Sequence, residues 1–264
     1  MSLDPGADTR YLLSDEQSRQ IFTDRIAPRH LAHGAPQDQP VVIVLSAQAG
    51  AGKTTLAREL ADRFEPTGGI VSVDVDMFKP FHPAYGQLTA EMGATAGDLV
   101  HADARRWFEQ SLDHLAARRV NVIAEHGLRT IDVTNSLLAR FDQAGYRIEG
   151  ALLATPAAQS KLGILERYQV GYEKTGFGRI LPEDLHDARY QQLLQVAGWL
   201  QDDRRVQAIS IHPFAQPDPI YRNERNANGQ WTTSQGAADA LAEERTRGWD
   251  ISQSRQFLLR HHSL

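Results

Sequence analysis

Short apolar runs alternate with longer amphipathic segments along the chain. The apolar runs are rich in valine and isoleucine, which is typical of strands buried on both faces of a parallel sheet. The segments between them place apolar residues at helical spacing. Strands are predicted over Val41–Ser46, Ile70–Val75, Val120–Ala124, Ile148–Ala154 and Val206–Ile211, and helices over Thr54–Phe64, His101–Arg118, Ile131–Ala144, Ala157–Tyr172 and Glu183–Asp202. This alternation predicts an α/β fold, with a parallel sheet flanked by helices on both faces.

The same criteria predict helices near both ends of the chain. A serine is placed to cap an N-terminal helix over Ser14–Leu31, and a helical pattern returns over about 235–260. Since no long linker divides the chain, we expect a single domain over 1–264, with a motif-bearing core over about 40–212. Loops are predicted over Pro80–Pro83 and Gln216–Gly236.

Composition and charge narrow the class of function. The 28 lysines and arginines against 33 aspartates and glutamates give a formal charge of -5, which argues against a nucleic-acid-binding protein. The absence of cysteine excludes thiol catalysis, cysteine-ligated zinc and disulfides. The longest apolar run, Val41–Leu45, is too short to span a membrane, and Met1–Arg10 lacks the apolar core of a signal peptide. We therefore expect a cytoplasmic protein without a membrane partner.

A glycine-rich turn joins the first predicted strand to the first long helix. Its sequence, Ala47–Thr54, has the strand, Gly-rich turn, Gly-Lys-Thr and helix order of a phosphate-binding loop. Glycines let the backbone amides converge on an anion, the lysine reaches the β- and γ-phosphates, and Thr54 can ligate Mg²⁺. The motif normally starts with glycine, whereas this chain has Ala47. The alternative is a Gly/Ala-rich turn with a fortuitous lysine. The residues predicted to bind ATP are Gln48, Ala49, Gly50, Ala51, Gly52, Lys53, Thr54 and Thr55.

Acidic residues follow two predicted strands at the sheet edge that carries this loop. Asp74 and Asp76 end the second strand, and Glu125 ends the third. Ligands of α/β sheets bind outside the carboxyl ends of the strands. A kinase needs a carboxylate that accepts the proton of the acceptor hydroxyl, and Asp76 is expected to project freely. Glu125 is a candidate for holding Mg²⁺ through water or a substrate hydroxyl. The alternatives are that both aspartates cap the next turn and that Glu125 pairs with an arginine such as Arg129.

Arginines could neutralise the charge of a transferring phosphoryl group. Arg167 lies on a predicted helix, and Arg179 lies in the loop Gly176–Arg179, whose glycines suit a closing lid. Each is otherwise a surface residue. His186 and Asp187 are either a catalytic pair or a structural hydrogen-bonding pair.

The order of these features resembles the zeta toxin family of bacterial P-loop kinases. The resemblance covers about residues 40–190. It rests on Gln48–Thr54, Asp74–Lys79, His82-Pro83, Asn121–Glu125, Arg129, Gly163–Tyr168, Arg179 and His186-Asp187.

The resemblance implies a P-loop kinase fold and a specific reaction. Family members studied as toxins use ATP and Mg²⁺ to phosphorylate the 3′-hydroxyl of the sugar in UDP-N-acetylglucosamine, a nucleotide sugar. It implies a metal ligand at Thr54 and a catalytic set of Lys53, Asp76, Arg167 and Arg179. The implied substrate-binding residues are Asp76, Phe78, Lys79, His82, Glu109, Glu125 and Arg129. Because a small helical antitoxin often blocks the nucleotide site in this family, a separate antitoxin is a candidate partner.

Departures from the family's pattern keep two other functions open. The family commonly has glycine and then a hydroxyl residue after the glutamate, where this chain has His126 and Gly127. A kinase for another small-molecule hydroxyl is therefore the second hypothesis. A nucleotide-binding module without transfer activity is the third, and it is favoured only if Ala47 disables the loop.

Overall fold

Parallel strands form the centre of the computed structural model, which describes residues 10–127, 131–178, 180–216 and 218–264. Within those residues, six strands lie in one sheet in the order β2-β3-β1-β4-β5-β6. The strands are β1 (Val41–Ala47), β2 (Val71–Val73), β3 (Val122–Gly127), β4 (Arg147–Leu153), β5 (Val206–His212) and β6 (Tyr221–Glu224). The first five are parallel, and β6 pairs antiparallel with β5. The predicted α/β class with a parallel sheet is confirmed.

Helices connect the strands and cover both faces of the sheet. They are α1 (Asp15–Ile21), α2 (Ala27–His30), α3 (Lys53–Phe64), α4 (Tyr85–Met92), α5 (Ala96–Leu99), α6 (His101–Arg118), α7 (Ile131–Gln143), α8 (Ala157–Thr175), α9 (Glu183–Asp202), α10 (Ala237–Thr246) and α11 (Ile251–His262). In the part of the chain that the structure describes, none of the helices is long and apolar enough to cross a membrane.

Alternation along β1 explains why its sequence is apolar throughout. Val42 and Val44 belong to one hydrophobic cluster, whereas Ile43 and Leu45 belong to another. Successive side chains of a strand point to opposite faces, so each face of β1 is buried. Residues of α3 such as Leu56 cover the second cluster, which ties the helix after the loop to the strand before it.

The predicted N-terminal helix is present but irregular. Ser14 caps it, because its hydroxyl accepts the amide N–H of Gln17 at 3.2 Å and its own amide donates to the Gln17 side chain at 3.1 Å. A π-helical turn, Phe22–Ile26, separates α1 from α2. Pro28 follows it in the first turn of α2, where a proline is tolerated.

Two predicted boundaries around the sheet edge were wrong. The second strand ends at Val73, before both aspartates, and the third continues to Gly127, so Glu125 lies inside β3 instead of ending it. The extension occurs because β3 stays paired with β1 as far as Ala47 and Gly127. The predicted loop Pro80–Pro83 was also wrong in part, since a 3₁₀ helix spans Asp76–Phe81.

A strand lies in the stretch that was predicted to be a loop. β6 is hard to find in the sequence because only Tyr221 and Asn223 point inward and one of them is polar. The buried amide of Asn223 donates to the carbonyl of Thr233 and to the hydroxyl of Tyr221, each at 3.0 Å. Its polarity is therefore satisfied inside the protein.

Candidate active site

The glycine-rich turn leads directly into the N-terminus of α3. Gly50 and Gly52 have φ angles of +74° and +91°, which favour glycine, and Gly52 is the residue that precedes the helix. No described residue accepts the amide N–H groups of Lys53 and Thr54. Free amides at a helix N-terminus, together with the helix dipole, form an anion-binding site.

Ala47 occupies a position where glycine is not needed. It is the last residue of β1 and pairs with Gly127 of β3. Among the described residues, the non-glycine residues with positive φ are Arg119 and Ala215, so Ala47 has an ordinary backbone conformation. The departure from the family's pattern therefore introduces no backbone strain into the loop.

A close backbone approach fixes the loop against α8. A side-chain carbon at Gly50 would collide with the carbonyl oxygen of Ser160 and lie 2.9 Å from Cγ1 of Ile164. A side-chain carbon at Gly163 would collide in turn with the carbonyl oxygen of Gly50. Glycine at 163 therefore lets the helix touch the loop backbone.

This contact predicts the behaviour of Gly163→Ala. The added methyl group would push the loop away from its anion-binding conformation, so we expect ATP affinity to fall about tenfold and stability to fall by about 1–3 kcal/mol. Gly198→Ala is the matched control, because Gly198 lies inside α9 with no atom within 4 Å of the added carbon. It should leave ATP affinity unchanged and stabilise the fold by about 0.4–1 kcal/mol. Calorimetric titration and chemical unfolding measure both quantities; indistinguishable results for the two variants would contradict the role of this contact.

Hydrogen bonds from polar side chains fix the phosphate loop to the segment that follows β4. The amide of Gln48, which is buried, donates to the carbonyl of Thr155 at 2.9 Å and to the hydroxyl of Ser160 at 3.3 Å. The Thr155 hydroxyl donates to the carbonyl of Ala51 at 2.8 Å. Gln48 thus braces the loop through its side chain.

Lys53 lies beside an acidic residue on the neighbouring strand. Its Nζ is 3.3 Å from Oε2 of Glu125, and the hydroxyl of Ser72 donates to Oε1 at 3.1 Å. Glu125 is buried and Lys53 is half-buried, so the pair is partly shielded from water. The register that sets Glu125 opposite Leu45 brings these groups together. Among the described residues, Glu125 therefore pairs with the loop lysine and not with an arginine.

The two aspartates after β2 have different environments. The carboxylate of Asp74 accepts the amide N–H groups of Asp76 and Met77, so it caps the 3₁₀ helix. Asp76 is 69% exposed, and its carboxylate lies 2.6 Å from Nζ of the buried Lys79. Asp74 thus has the capping arrangement, while Asp76 is exposed and paired with Lys79, and its role as the base stays a prediction.

Two other predicted substrate residues, Phe78 and His82, have their side chains in structural contacts. Phe78 is fully buried in the core. His82 is also buried; its Nε2 lies 2.9 Å from the carbonyl of Tyr11, and its Nδ1 accepts the amide N–H of Ala84. The structure shows both side chains in contacts within the protein, and their predicted roles in substrate binding stay predictions.

Glu109 faces a neighbouring helix. Its carboxylate lies 2.8 Å from the guanidinium of Arg140 on α7 and 3.4 Å from that of Arg105 on α6. The ion pair with Arg140 joins α6 to α7, whereas the pair with Arg105 lies within α6. The predicted substrate role of Glu109 stays a prediction.

The predicted arginines are only partly described. Arg167 lies on the exposed side of α8, where no ion pair joins it to another described residue. Arg129 and Arg179 lie outside the described residues. Gly178, next to Arg179, packs against Tyr168 of α8. The loop that carries Arg179 therefore starts against the helix that carries Arg167.

His186 and Asp187 belong to a network behind the loop. Nε2 of His186 lies 2.8 Å from the Ser160 hydroxyl, and its Nδ1 lies 2.8 Å from Asp187. The hydrogen bond from His186, helped by Lys161, lowers the pKa of Asp187. His186 is buried, which fits the structural alternative.

Several residues in this network could not be anticipated from the sequence. Thr155, Ser160 and Arg245 all contact Gln48 or its neighbours. One signal could have revealed Arg245, because it continues the four-residue spacing of the buried Ala237 and Leu241 along α10. A charged residue on a buried helix face indicates a specific partner.

The oxygen donors at this edge suit a hard cation such as Mg²⁺. Thr54 presents an exposed hydroxyl on the first turn of α3, near the Lys53–Glu125 pair. No group of three or more potential ligands among His, Cys, Asp and Glu occurs in the residues that the structure describes.

Comparison with known proteins identifies the family. The family model described as Zeta toxin matches residues 28–228, more than half of the chain. The chain belongs to the zeta toxin family. Among curated zeta toxin relatives, Toxin PezT of Streptococcus pneumoniae serotype 4 (strain ATCC BAA-334 / TIGR4) is 32% identical over 209 residues, which are 78% of each protein. Toxin zeta of Enterococcus hirae is 27% identical over 157 residues, 59% of this chain and 54% of that protein.

Solved structures agree with the assignment to the zeta toxin family. A structure from the PezAT chromosomal toxin–antitoxin system of Streptococcus pneumoniae has a TM-score of 0.82 and 25% identity, and it covers 96% of both chains. The AvrRxo1-ORF1:-ORF2 structure with ATP has a TM-score of 0.54 at 15% identity over 89% of this chain and 72% of that chain. The second likeness concerns the fold alone. The P-loop kinase-like fold that the sequence predicted is thus confirmed.

Proposed function

We propose that this zeta toxin family member is an ATP-dependent kinase that phosphorylates a sugar hydroxyl of UDP-N-acetylglucosamine or a related nucleotide sugar. The observation that carries the proposal is the placement of Lys53 and Asp76. A phosphate loop with free amides and a lysine lies at the same sheet edge as an exposed carboxylate. The first group holds a phosphoryl donor, and the second accepts a proton from an alcohol.

The donor half consists of the loop and the start of α3. The amides of Lys53 and Thr54 and the ammonium group of Lys53 would hold the β- and γ-phosphates of ATP. On ATP binding, Lys53 would exchange Glu125 for the phosphates. Thr54 would hold Mg²⁺, and Glu125 is positioned to do so through water. When bound, Mg²⁺ would neutralise charge on the phosphates.

The acceptor half depends on Asp76. Its carboxylate would accept the proton of the sugar hydroxyl as the hydroxyl oxygen bonds to the γ-phosphorus. The bond from that phosphorus to the β–γ bridging oxygen breaks, and ADP leaves with the electron pair. Lys79, 2.6 Å from Asp76, would orient the carboxylate. Arg167 and Arg179 would neutralise charge on the transferring group.

A different acceptor is the second candidate. His126 and Gly127 lie at the end of β3, one and two residues beyond Glu125, and they replace the residues that the family commonly has there. An added imidazole and a lost hydroxyl at this edge would change which acceptor is recognised. This observation favours another small-molecule hydroxyl over UDP-N-acetylglucosamine. The third hypothesis, a non-catalytic nucleotide-binding module, loses its motivation because Ala47 has an unstrained backbone.

We also propose a separate antitoxin as a partner and the cytoplasm as the site of action. The structural relative comes from a toxin–antitoxin system, and the curated relatives carry toxin names. An antitoxin that blocks the nucleotide site would lower activity by preventing ATP binding.

A panel of acceptors tests the proposed substrate class. The purified chain is incubated with ATP, Mg²⁺ and single acceptors, and ADP release is measured. UDP-N-acetylglucosamine or a close nucleotide sugar should give the highest kcat/KM, at least about a hundredfold above free sugars, because the nucleotide contributes binding energy. Highest activity with an acceptor that has no nucleotide would replace the proposal with the second candidate.

A further inference from the structure

Arg245 is a buried arginine on α10 whose guanidinium contacts the phosphate loop through the side chain of Gln48. It is 5% exposed. Its Nη2 donates to Oε1 of Gln48 at 3.0 Å, and its Nη1 donates to the carbonyl of Tyr190 at 2.6 Å. The guanidinium also lies over the ring of Tyr190, 3.9 Å from its centroid. Arg245 therefore links α10, α9 and the loop at one point.

This arginine lacks the usual compensation for a buried charge. No ion pair joins it to a carboxylate within the described residues, and its buried Nε has no hydrogen-bond partner there. Burial lowers the pKa of Arg245 to about 10, so the group still carries its charge at neutral pH. An apolar side chain of similar size would avoid this desolvation cost. The buried charge therefore lowers the stability of the fold. We infer that it is kept for its effect on the phosphate loop, which it contacts through Gln48.

The charge of Arg245 determines how the Gln48 amide is oriented. A guanidinium only donates hydrogen bonds, so the Gln48 oxygen must face it and the Gln48 nitrogen must face away. That nitrogen donates to the backbone carbonyl of Thr155 and to the hydroxyl of Ser160, while the Thr155 hydroxyl donates to the carbonyl of Ala51. These hydrogen bonds fix the Gln48 side chain and the carbonyl of Ala51, and they thereby restrict the backbone of the loop.

We propose that Arg245 is a positioning residue of the phosphate loop, which acts through the side chain of Gln48 to keep the loop ready for a nucleotide polyphosphate. The inference rests on the proposed function, because it assumes that the loop binds ATP. It adds a contribution from a C-terminal helix, 197 residues away from Gln48 in the sequence.

Arg245→Met in the full chain tests the inference. We expect the Kd for ATP, measured by calorimetric titration, to rise about tenfold or more, as for other outer contacts that orient a binding group. The KM for ATP should rise with it, while the KM for the acceptor stays unchanged. Adenosine, which lacks phosphates, should bind both proteins alike. Equal ATP affinity of Arg245→Met and the wild type would overturn the inference.

Arg225→Met is the matched control for loss of stability. Arg225 donates to several backbone carbonyls, including that of Val206, and lies over the ring of Trp231 at 4.2 Å. This variant removes a partly buried guanidinium that contacts no loop residue among those the structure describes. It should lower the melting temperature but leave the Kd for ATP unchanged. An equal loss of ATP affinity in both variants would mean that general destabilisation explains the effect, and the positioning role would be wrong.

A double-mutant cycle tests the path through Gln48. In the Gln48→Met background, Arg245→Met should cause little further loss of ATP affinity, since the amide that it orients is gone. Two fully additive losses would overturn this path. If Arg245→Met does not fold, Arg245→Lys replaces it; lysine keeps the charge but cannot make both hydrogen bonds, so a several-fold rise in Kd is expected. Wild-type affinity of Arg245→Lys would then overturn the inference.

The outcomes separate this inference from the proposed function. If the wild-type chain binds no ATP, the proposed function and the role of Arg245 are both wrong. If the wild type binds ATP and Arg245→Met binds it equally well, only the role of Arg245 is wrong.

Discussion

Lys53→Met is expected to lower kcat/KM for phosphoryl transfer by about a thousandfold, the size of effect seen when a group that stabilises transition-state charge is removed. Lys53 is the only lysine of the loop, and its ammonium group is placed at the start of α3. Methionine keeps the length of the side chain but cannot neutralise the γ-phosphate. The loss is measured as ADP release under saturating acceptor, and ATP affinity should fall in parallel.

The same substitution leaves Glu125 without its charged partner. Glu125 then keeps only the hydroxyl of Ser72 among the described contacts. A loss of stability of about 1–3 kcal/mol is expected from the unpaired buried carboxylate. Glu125→Gln combined with Lys53→Met is the control, because it restores stability without restoring activity. If the double variant recovers transfer activity, Lys53 does not act on the phosphates.

Asp76→Asn is expected to reduce kcat by about 10²–10⁴-fold, the usual contribution of a general base, while the Kd for ATP changes less than about twofold. Asparagine has nearly the same shape but cannot accept the proton of the acceptor hydroxyl. The substitution also removes the charged partner of the buried Lys79, so a loss of stability of about 1–3 kcal/mol is expected beside the loss of kcat. Single-turnover transfer and calorimetric titration of ATP measure the two effects separately.

Asp74→Asn provides the matched control for Asp76→Asn. Asp74 lies two residues earlier and caps the 3₁₀ helix with its carboxylate. Its loss should cost about 0.5–2 kcal/mol of stability and reduce transfer much less than Asp76→Asn does. A larger loss of kcat in Asp74→Asn than in Asp76→Asn would assign the base to the other aspartate.

Local patterns explain why much of the fold was predictable. The strand, turn and helix around Lys53 are contiguous in the sequence, so periodicity and glycine placement were sufficient to predict them. The helices over His101–Arg118 and Glu183–Asp202 have the predicted bounds. By contrast, β6 was missed because its inward-facing Asn223 gives no apolar alternation.

Contacts between residues that are distant in the sequence could not be predicted from the sequence alone. Glu125 pairs with Lys53 because the register of β1 and β3 aligns them, and no spacing rule encodes that register. Phe78 is buried because it lies inside the 3₁₀ helix Asp76–Phe81, which the sequence did not predict. The hydrogen bond between Arg245 and Gln48 joins distant parts of the chain for the same reason.

Direct detection of the product is the most decisive measurement. The purified chain is incubated with UDP-N-acetylglucosamine, Mg²⁺ and ATP that carries a labelled γ-phosphate, with Asp76→Asn and Lys53→Met in parallel. A kinase for nucleotide sugars predicts that the label moves to the sugar in equal amounts with ADP, and that both variants lose this transfer. Tight ATP binding by the wild-type chain without label on this or any other hydroxyl acceptor would contradict it.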